Sequence, residues 1–229
     1  MKGTQLALAV ALADPQDFEH FHTGPNGAAV TTVRALLDAE DGSSLLLHGP
    51  VGSGKTHLVQ ALLKEARDSG VAATPLDLNH FTAPTRALET MRLLCLDGLD
   101  HEPLDEPRAL ALIRLLDARK QRAVSTLITA RKPAAQLTLP RPDLLTRLSA
   151  FASFGLKPLS DEDRIGLLRL RASTRGLTLS PEVANYLLKH LPRDVASLLG
   201  AVDTLDRASL ATRRGLTIPL VQQALGLSS

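Results

Sequence analysis

One short stretch constrains this chain more than any other: residues 45–56 read LLLHGPVGSGKT. The stretch fits the pattern G-x-x-x-x-G-K-[ST], with an apolar run before it and a helix-like segment, residues 57–67, after it. In a loop of this kind, backbone N–H groups and the positive end of the following helix face phosphate oxygens. The sequence therefore predicts a phosphate-binding loop that holds a nucleoside di- or triphosphate. A glycine-rich turn that fits the pattern by chance is the alternative.

The residues expected to contact the nucleotide come from this loop and from one later strand. Lys55 is expected to reach the β- and γ-phosphates, and the Thr56 hydroxyl is expected to hold Mg²⁺. Asp97 ends an apolar run, 93–96, at the edge where parallel α/β sheets bind ligands, so we expect it to act with Thr56 on the metal. A strand followed by a plain Asp-Gly turn is the alternative. The predicted nucleotide-binding residues are Gly49, Pro50, Gly52, Ser53, Gly54, Lys55, Thr56, His57 and Asp97.

Composition limits the class of protein. Apolar residues make up 44% and charged residues 22% of the 229 residues, which is typical of a folded globular chain. The formal net charge of +2 is too small to predict nucleic-acid binding, and aromatic residues, at 3%, are too few for a base-stacking platform. The lone cysteine, Cys95, excludes an internal disulfide, and its apolar neighbours predict a buried thiol. No apolar run reaches the length of a membrane span.

Residues 1–13 allow two interpretations. Lys2 followed by the apolar run 6–13 resembles a short export signal, but such signals usually need about 15–30 residues, so we expect a cytoplasmic protein. The other interpretation is a short linear motif, Gln5-Leu6-Ala7-Leu8, whose Gln and two Leu side chains would enter a pocket on a partner protein. Because four residues match such a motif easily by chance, the residues alone leave both interpretations open.

Strands and helices alternate through the first two thirds of the chain. This alternation predicts an α/β domain with a five-stranded parallel sheet and helices on both faces. The predicted strands are 45–47, 72–78, 93–97, 123–129 and 151–156. The predicted helices are 28–40, 57–67, 80–91, 104–122 and a short one at 143–148.

From Ser160 the pattern is helical only. Ser160 and Asp163 form an S-x-x-[DE] capping box, which marks the start of a helix. The predicted helices are 161–175, 181–190, 193–208 and 218–226. We therefore predict an N-terminal peptide (1–13), a nucleotide-binding α/β domain (14–158) and a small all-α lid domain (159–229).

Six strings occur in order along the chain: GPVGSGKT at 49–56, LCLD at 94–97, LITARKP at 127–133, PDLLTRL at 142–148, LSDED at 159–163 and LTIP at 216–219. Together they resemble the DnaA/Hda group of AAA+ ATPases. The resemblance is stronger to the short Hda paralogues, the regulatory inactivators of DnaA, and it covers nearly the whole chain. It implies an AAA+ α/β domain followed by a helical lid.

The resemblance also implies a function. It implies that the chain, with ADP (or ATP) and Mg²⁺ bound and tethered to the DNA-loaded β sliding clamp, stimulates hydrolysis of DnaA-bound ATP. DnaA is thereby inactivated, which is negative regulation of DNA replication initiation. The peptide at Gln5, Leu6 and Leu8 is similar to the clamp-binding motif of Hda proteins. The expected partners are DnaA, the clamp (the β subunit of DNA polymerase III) and further copies of the chain in a homo-oligomer, with DNA contacted only through the clamp and no membrane.

Two arginines take roles from the same resemblance. Arg147 matches the arginine finger, a catalytic residue offered in trans to the nucleotide of a neighbouring subunit. Arg193 matches the second sensor, which contacts the nucleotide from the lid. An arginine finger is worth about 10³–10⁵-fold in rate in well-studied phosphoryl transfers. From the residues alone, a solvated charge or a surface ion pair is the alternative for both.

Two positions depart from the pattern of the group. Gly98 stands where DnaA has a second acidic residue, and Ala130-Arg131 stands where DnaA has a polar and an acidic residue. Asp100 is out of register for a simple replacement of the missing carboxylate. We therefore expect weak ATPase activity of the chain itself and a nucleotide held as a structural ligand.

Two other functions stay open. A working AAA+ ATPase, such as a DnaA-like assembly factor or a helicase loader, would turn over ATP alone with Asp100 in a catalytic role. A P-loop kinase of a small molecule is the third candidate, but such kinases insert their lids into the core, whereas these helices follow it from residue 160. We expect no DNA-reading domain after the lid, which favours the regulator.

Overall fold

The computed structural model describes residues 16–212 and 215–227, which form an α/β domain followed by a helical lid. The predicted partner-binding residues Gln5, Leu6 and Leu8 lie outside the described residues. The strands are β1 (Ser44–His48), β2 (Ala73–Asp77), β3 (Leu93–Asp97), β4 (Ser125–Ala130) and β5 (Ala152–Gly155). The helices of the α/β domain are α1 (Gly27–Ala35), α2 (Lys55–Asp68), α3 (Arg86–Thr90), α4 (Glu106–Gln121) and α5 (Pro142–Ser149). The lid helices are α6 (Asp161–Thr174), α7 (Pro181–His190), α8 (Val195–Thr212) and α9 (Ile218–Leu225).

The five strands form one parallel sheet in the order β2-β3-β4-β1-β5, which confirms the predicted sheet. The inner strands are almost wholly buried because helices cover both faces of the sheet. The outer strand β2 contains Pro75, which is tolerated because one side of an edge strand needs no hydrogen-bonding partner. Parallel strands bring their carboxyl ends to one edge, where β1 leads into the phosphate-binding loop and β3 ends at Asp97.

Alternate residues of the inner strands build two cores, one on each face of the sheet. Leu46 packs with α4 and α5, whereas Leu45 and Leu47 pack with α1 and α2. A slip of one residue would exchange these two sets of side chains, so burial on both faces fixes the register. Cys95 lies in the second core and is fully buried, as predicted, and this burial raises the pKa of its thiol to about 12.

The lid has a core of its own, to which all four of its helices contribute. The predicted capping box is confirmed: the Asp163 N–H donates to Ser160 Oγ (3.1 Å), and the Ser160 N–H donates to Asp163 Oδ2 (3.0 Å). The first lid helix therefore begins at Asp161, after strand β5 and the loop that follows it. Within residues 16–212 and 215–227, no helix has both the length and the apolar character that crossing a membrane requires.

The helix predicted over residues 80–91 is wrong for most of its length. Only Arg86–Thr90 are α-helical, and a turn of 3₁₀ helix occupies Leu78–His80. Pro84 disfavours helical backbone in the residue before it. Helix α3 then begins after Thr85, whose hydroxyl accepts the Leu88 N–H at 3.4 Å.

Several other helix boundaries differ from the prediction, most of all in α1 and in α8, which ends at Thr212 rather than at residue 208. Helix α1 ends at Ala35 rather than near residue 40. Helix α8 begins at Val195, two residues later than predicted, because the Asp194 carboxylate caps it by accepting the Ser197 N–H at 2.8 Å. The later start places Arg193 in the loop before α8 and outside the helix.

An N-terminal segment, residues 16–26, contacts both the α/β domain and the lid. The buried Asn26 side chain accepts a hydrogen bond from the Lys157 N–H (2.8 Å) and donates one to the Lys157 carbonyl (3.1 Å). Nε2 of His22 lies 3.5 Å from Oδ1 of Asp163 on α6. These contacts hold the segment beside the first lid helix.

Candidate nucleotide-binding site

The phosphate-binding loop connects β1 to α2 at the carboxyl edge of the sheet. Gly54, the N-cap residue of α2, has a φ of 97°, in the left-handed region that glycine adopts readily. A Cβ at this position would lie 2.6 Å from the ring of Phe21, so space as well as backbone conformation requires glycine. The first turn of α2 leaves backbone N–H groups without helical partners, and these are donors that a phosphate can use.

Lys55 is buried at the start of α2, and its ammonium lies inside the loop. Nζ donates to the carbonyl oxygens of Gly49 (2.7 Å) and Pro50 (2.9 Å). Burial lowers the pKa of Lys55, while the carboxylates of Asp97 and Asp100 act in the opposite direction. The Lys55 ammonium thus lies where the lysine of this motif contacts the β- and γ-phosphates.

Thr56 and Asp97 meet where β3 ends. The Thr56 hydroxyl donates to Asp97 Oδ2 (3.3 Å), and the Thr129 hydroxyl donates to Asp97 Oδ1. A hydroxyl and a carboxylate are oxygen ligands that suit Mg²⁺ when phosphates and water complete its coordination. The described part of the chain holds no group of three or more His, Cys, Asp and Glu residues that could bind a metal by itself. Thr56 and Asp97 therefore fit a Mg²⁺ that is bound together with phosphate.

A cavity of about 570 Å³ opens beside the loop, which is within the usual range for a small-molecule cofactor. The predicted residues 52–57 line this cavity, and its other walls are the N-terminal segment, α6 and α8. Lys55 and Thr56, which line the cavity, connect it to the other predicted residues. Lys55 donates to the carbonyl oxygens of Gly49 and Pro50, and Thr56 donates to the carboxylate of Asp97. The structure thus brings the predicted loop residues and Asp97 together in one place.

The N-terminal segment forms a wall that the sequence interpretation missed. The Phe21 ring packs edge-on against the His57 ring, with the centroids 5.3 Å apart. His57 Nε2 lies 2.9 Å from the Asp17 carbonyl oxygen, so the segment is tied directly to α2. A signal existed: of only five Phe residues in the chain, Phe18 and Phe21 fall within this one segment.

Arg171 on α6 is another cavity residue that the sequence interpretation missed. Its side chain is buried, and Nη2 and Nε donate to Oδ1 of Asp203 at 2.8 and 3.1 Å. From the sequence, an arginine inside a lid helix is expected on the surface. The ion pair with Asp203 is what allows the charge to be buried beside the cavity.

Arg193, which was predicted to contact the nucleotide from the lid, is not among the described residues that line the cavity. Its side chain is 63% exposed, and Nη1 lies 3.1 Å from Oδ2 of Asp161. The Arg193 carbonyl accepts a hydrogen bond from Nε of Arg164 at 3.1 Å. The sensor role of Arg193 stays a prediction.

Arg147 lies on α5, and it too is absent from the described lining of the cavity. Its Nε and Nη2 donate to the two carboxylate oxygens of Asp117 on α4, each at 2.7 Å. This contact is the surface ion pair that the residue pattern left open as the alternative. The role of Arg147 as a finger toward a neighbouring subunit stays a prediction.

The residues after Asp97 leave no place for a second carboxylate beside it. Gly98 has a φ of 82°, and its N–H donates to Thr129 Oγ1 at 3.0 Å. The Asp100 carboxylate accepts the Arg131 N–H at 2.7 Å and is therefore already engaged with the end of β4. His101 and Arg131 are the residues of this region that line the cavity.

The lid of this chain matches a known family. Residues 161–225 match the family described as the lid domain of Hda. This range begins and ends with the lid helices, from the first residue of α6 to the last residue of α9. The match covers the lid only, so it characterises that domain.

The fold of the chain is similar to that of domain III of DnaA. The structure matches domain III of the replication initiation protein DnaA from Thermotoga maritima with a TM-score of 0.80 at 18% identity, over 94% of this chain and 98% of that one. It matches replication initiator DnaA bound to AMPPCP and single-stranded DNA with a TM-score of 0.74 at 19% identity, over 89% of this chain and 70% of that one. AMPPCP-bound DnaA from Aquifex aeolicus gives 0.69 at 19% identity, over 78% and 60%. These likenesses establish a DnaA-type AAA+ fold, as predicted.

Proposed function

We propose that this chain, an Hda-like protein homologous to DnaA, is a negative regulator of the initiation of DNA replication. In this proposal the chain holds ADP (or ATP) with Mg²⁺, binds the DNA-loaded β sliding clamp and stimulates hydrolysis of the ATP bound to DnaA. The observation that carries the proposal is an Hda-type lid, residues 161–225, on a DnaA-type AAA+ domain.

The phosphate-binding loop supports firm binding of a nucleotide. Every fixed position of the motif is present, and Lys55 lies at the centre of the loop. Thr56 and Asp97 would hold Mg²⁺, which when bound neutralises phosphate charge. The neighbouring cavity has room for the rest of a nucleotide between Phe21 and the lid helices.

The surroundings of Asp97 support weak hydrolysis by the chain itself. An ATPase of this type needs a group that orients the attacking water. Gly98 supplies no side chain, and Asp100 is engaged with the Arg131 N–H. A nucleotide bound here would therefore act mainly as a structural ligand.

The position of Arg147 supports an action in trans. The residue lies on α5, away from the described lining of its own cavity, and its side chain is 34% exposed. A guanidinium at such a place can approach the phosphates of a neighbouring molecule, where it would stabilise the charge of the transition state. In the proposal that neighbour is DnaA with ATP bound.

The clamp-binding part of the proposal rests on the sequence. The peptide at Gln5, Leu6 and Leu8 is similar to the motif by which Hda proteins bind the sliding clamp. An extended peptide of this kind can place its Gln and Leu side chains in pockets of a partner. The clamp would then bring the chain to DNA, and copies of the chain would assemble with one another and with DnaA.

One observation favours a second candidate, a working AAA+ ATPase. The Asp100 carboxylate is close enough to Lys55 to act on its pKa, so a carboxylate does lie near the phosphate-binding loop. If Asp100 orients water, the chain turns over ATP without DnaA. The third candidate, a small-molecule kinase, is disfavoured because the lid follows the α/β domain along the chain.

The test is a single-turnover assay with DnaA that has been loaded with labelled ATP. The chain is added with and without DNA-loaded β clamp, and the same mixtures without DnaA serve as controls. The proposal predicts fast release of labelled phosphate only when DnaA, clamp and chain are all present. Equal hydrolysis without DnaA would overturn it in favour of the working ATPase.

A further inference from the structure

Two ion pairs on the surface of the α/β domain connect α4 with the α5 region. At the start of α4, Oε1 of Glu106 lies 3.0 Å from Nη1 of Arg141, the residue before α5. Near the end of α4, Asp117 pairs with Arg147 of α5. The pairs are alike in chemistry, but only the second involves the residue proposed as the arginine finger.

The Asp117–Arg147 pair is bidentate. Nε donates to Asp117 Oδ1 and Nη2 donates to Asp117 Oδ2, each at 2.7 Å. The third nitrogen, Nη1, donates to the Asp143 carbonyl one turn earlier on α5 at 3.1 Å. Asp117 therefore contacts the edge of the guanidinium that carries Nε and Nη2, and a backbone carbonyl of α5 contacts Nη1.

This arrangement leaves a definite part of the guanidinium available. The group has five N–H donors, and contacts with the described residues use three of them. One N–H remains on Nη1 and one on Nη2, the two nitrogens at the outer end of the guanidinium. Donors on these two neighbouring nitrogens can reach two oxygens of a phosphoryl group.

Helix α4 is a firm support for Asp117. Arg119, two residues later, is 1% exposed and fastens the helix to the rest of the domain. Its Nε donates to Thr126 Oγ1 on β4 (2.9 Å), and Nη1 donates to the Met91 carbonyl (3.1 Å). The carbonyls of Leu88 and Ser125 accept further hydrogen bonds from the same guanidinium. A carboxylate on this helix can hold another side chain in one orientation, which is what a supporting contact to a reacting group requires.

We propose that Asp117 is a positioning residue for Arg147: it holds the guanidinium by its inner edge so that the outer two N–H groups point toward the nucleotide of a neighbouring molecule. This inference rests on the proposed function, because it assigns a support to the finger that the proposal invokes. Asp117 itself touches no nucleotide in this scheme. A long, freely rotating arginine would have to be ordered in each encounter, and the bidentate pair removes that requirement.

The competing explanation is that the pair only joins α4 to α5. Glu106 provides a matched control for this explanation, because it lies on the same helix and pairs with an arginine of the same region. Replacing either carboxylate with its amide removes one charge and keeps the shape of the side chain. If joining the helices is all that matters, both replacements should have similar effects.

The experiment compares Asp117→Asn and Glu106→Gln in the full chain, with DnaA and DNA-loaded clamp. The rate of hydrolysis of DnaA-bound ATP is measured against the concentration of the chain, which gives a maximum rate and a half-saturating concentration. For Asp117→Asn we expect the maximum rate to fall about tenfold or more, with the half-saturating concentration changed less than about twofold. Glu106→Gln should behave as the wild type.

Folding is checked by ADP binding and by thermal unfolding, and Asp117→Ala serves as a second variant if the amide perturbs folding. An unchanged or increased maximum rate for the Asp117 variants would overturn the inference, and so would a change confined to the half-saturating concentration. An equal loss in Glu106→Gln would assign both pairs to structure and would also overturn it. Failure of the wild-type chain to stimulate DnaA is a separate result, which would overturn the proposed function instead.

Discussion

The imidazole of His101 lies against Gly98, in the space that a side chain on residue 98 would enter. A Cβ on Gly98 would lie 2.5 Å from Nδ1 and 2.9 Å from Cγ of His101. The φ of 82° at Gly98 is also one that other residues adopt only at a cost. Position 98 is therefore closed to a second carboxylate by its backbone and by its neighbour.

We expect Gly98→Asp to lower the free energy of unfolding by about 2–4 kcal/mol and to leave ATP turnover unchanged. Gly70→Asp is the control, because Gly70 has a φ of 72° but no atom within 4 Å of an added Cβ. That variant should cost only the backbone strain, about 1–2 kcal/mol. Adding His101→Ala to Gly98→Asp should recover the difference. Urea unfolding measures the stability and steady-state ATPase assays measure the turnover. Faster ATP hydrolysis by Gly98→Asp would show that position 98 does accept a second carboxylate.

Lys55→Ala should weaken ADP binding about 100-fold, since it removes a charged donor at the centre of the phosphate-binding loop. Lys64→Ala is a suitable control, because Lys64 lies on the same helix but is exposed and pairs with Asp68. Titration of a fluorescent ADP analogue measures both affinities. An affinity retained by Lys55→Ala would contradict the role of this lysine in holding the phosphates of ADP.

His48, the last residue of β1, should make folding stability depend on pH. Burial, aided by the charge of Lys55, lowers the pKa of His48 below its ordinary value of 6.5. The unfolded chain then takes up the proton more readily than the folded chain, so the free energy of unfolding should decrease as the pH falls below about 6.5. His48→Gln should reduce this dependence between about pH 7.5 and pH 5. Urea unfolding at several pH values measures this dependence, and His80→Gln, at an exposed histidine, is the control. If the free energy of unfolding of His48→Gln changes with pH as steeply as that of the wild type, His48 is not the group responsible.

Replacing both Gln5 and Leu6 with Ala should weaken binding to the β clamp at least tenfold, by the order of magnitude typical of anchor residues, ~1.4 kcal/mol or more. Thr4→Ala, next to the motif, should bind as the wild type does. Binding of each protein to immobilised clamp gives the comparison. Unchanged affinity in the double variant would return the peptide to a chance match.

The fold was predictable from sequence because its strongest signals are local. The phosphate-binding loop, the apolar runs of β1 and β3 and the capping box at Ser160 each constrain a few neighbouring residues, and all of them formed as predicted. The helix over 80–91 failed because Pro84 and the Thr85 cap outweigh helical propensity.

The rest of the site depends on contacts between residues far apart in the chain. Arginine is usually a surface residue. Arg119 and Arg171 are nevertheless buried, because hydrogen-bond acceptors from other elements surround their guanidinium groups. The contact of Phe21 with His57 and the pairing of Arg147 with Asp117 are likewise set by packing. No spacing rule within one element reveals such pairs, since each partner belongs to another segment.

In the proposed function Arg147 acts on the nucleotide of another molecule, and the direct test is Arg147→Ala in the single-turnover assay with DnaA and DNA-loaded clamp. Arg141→Ala is the matched control, because Arg141 has a similar exposure and adjoins the same helix. We expect Arg147→Ala to lower the maximum stimulated rate by about 10³-fold or more while ADP and clamp binding stay unchanged. Full stimulation by Arg147→Ala, or loss of its own ADP binding, would contradict the claim and make Arg147 a structural residue.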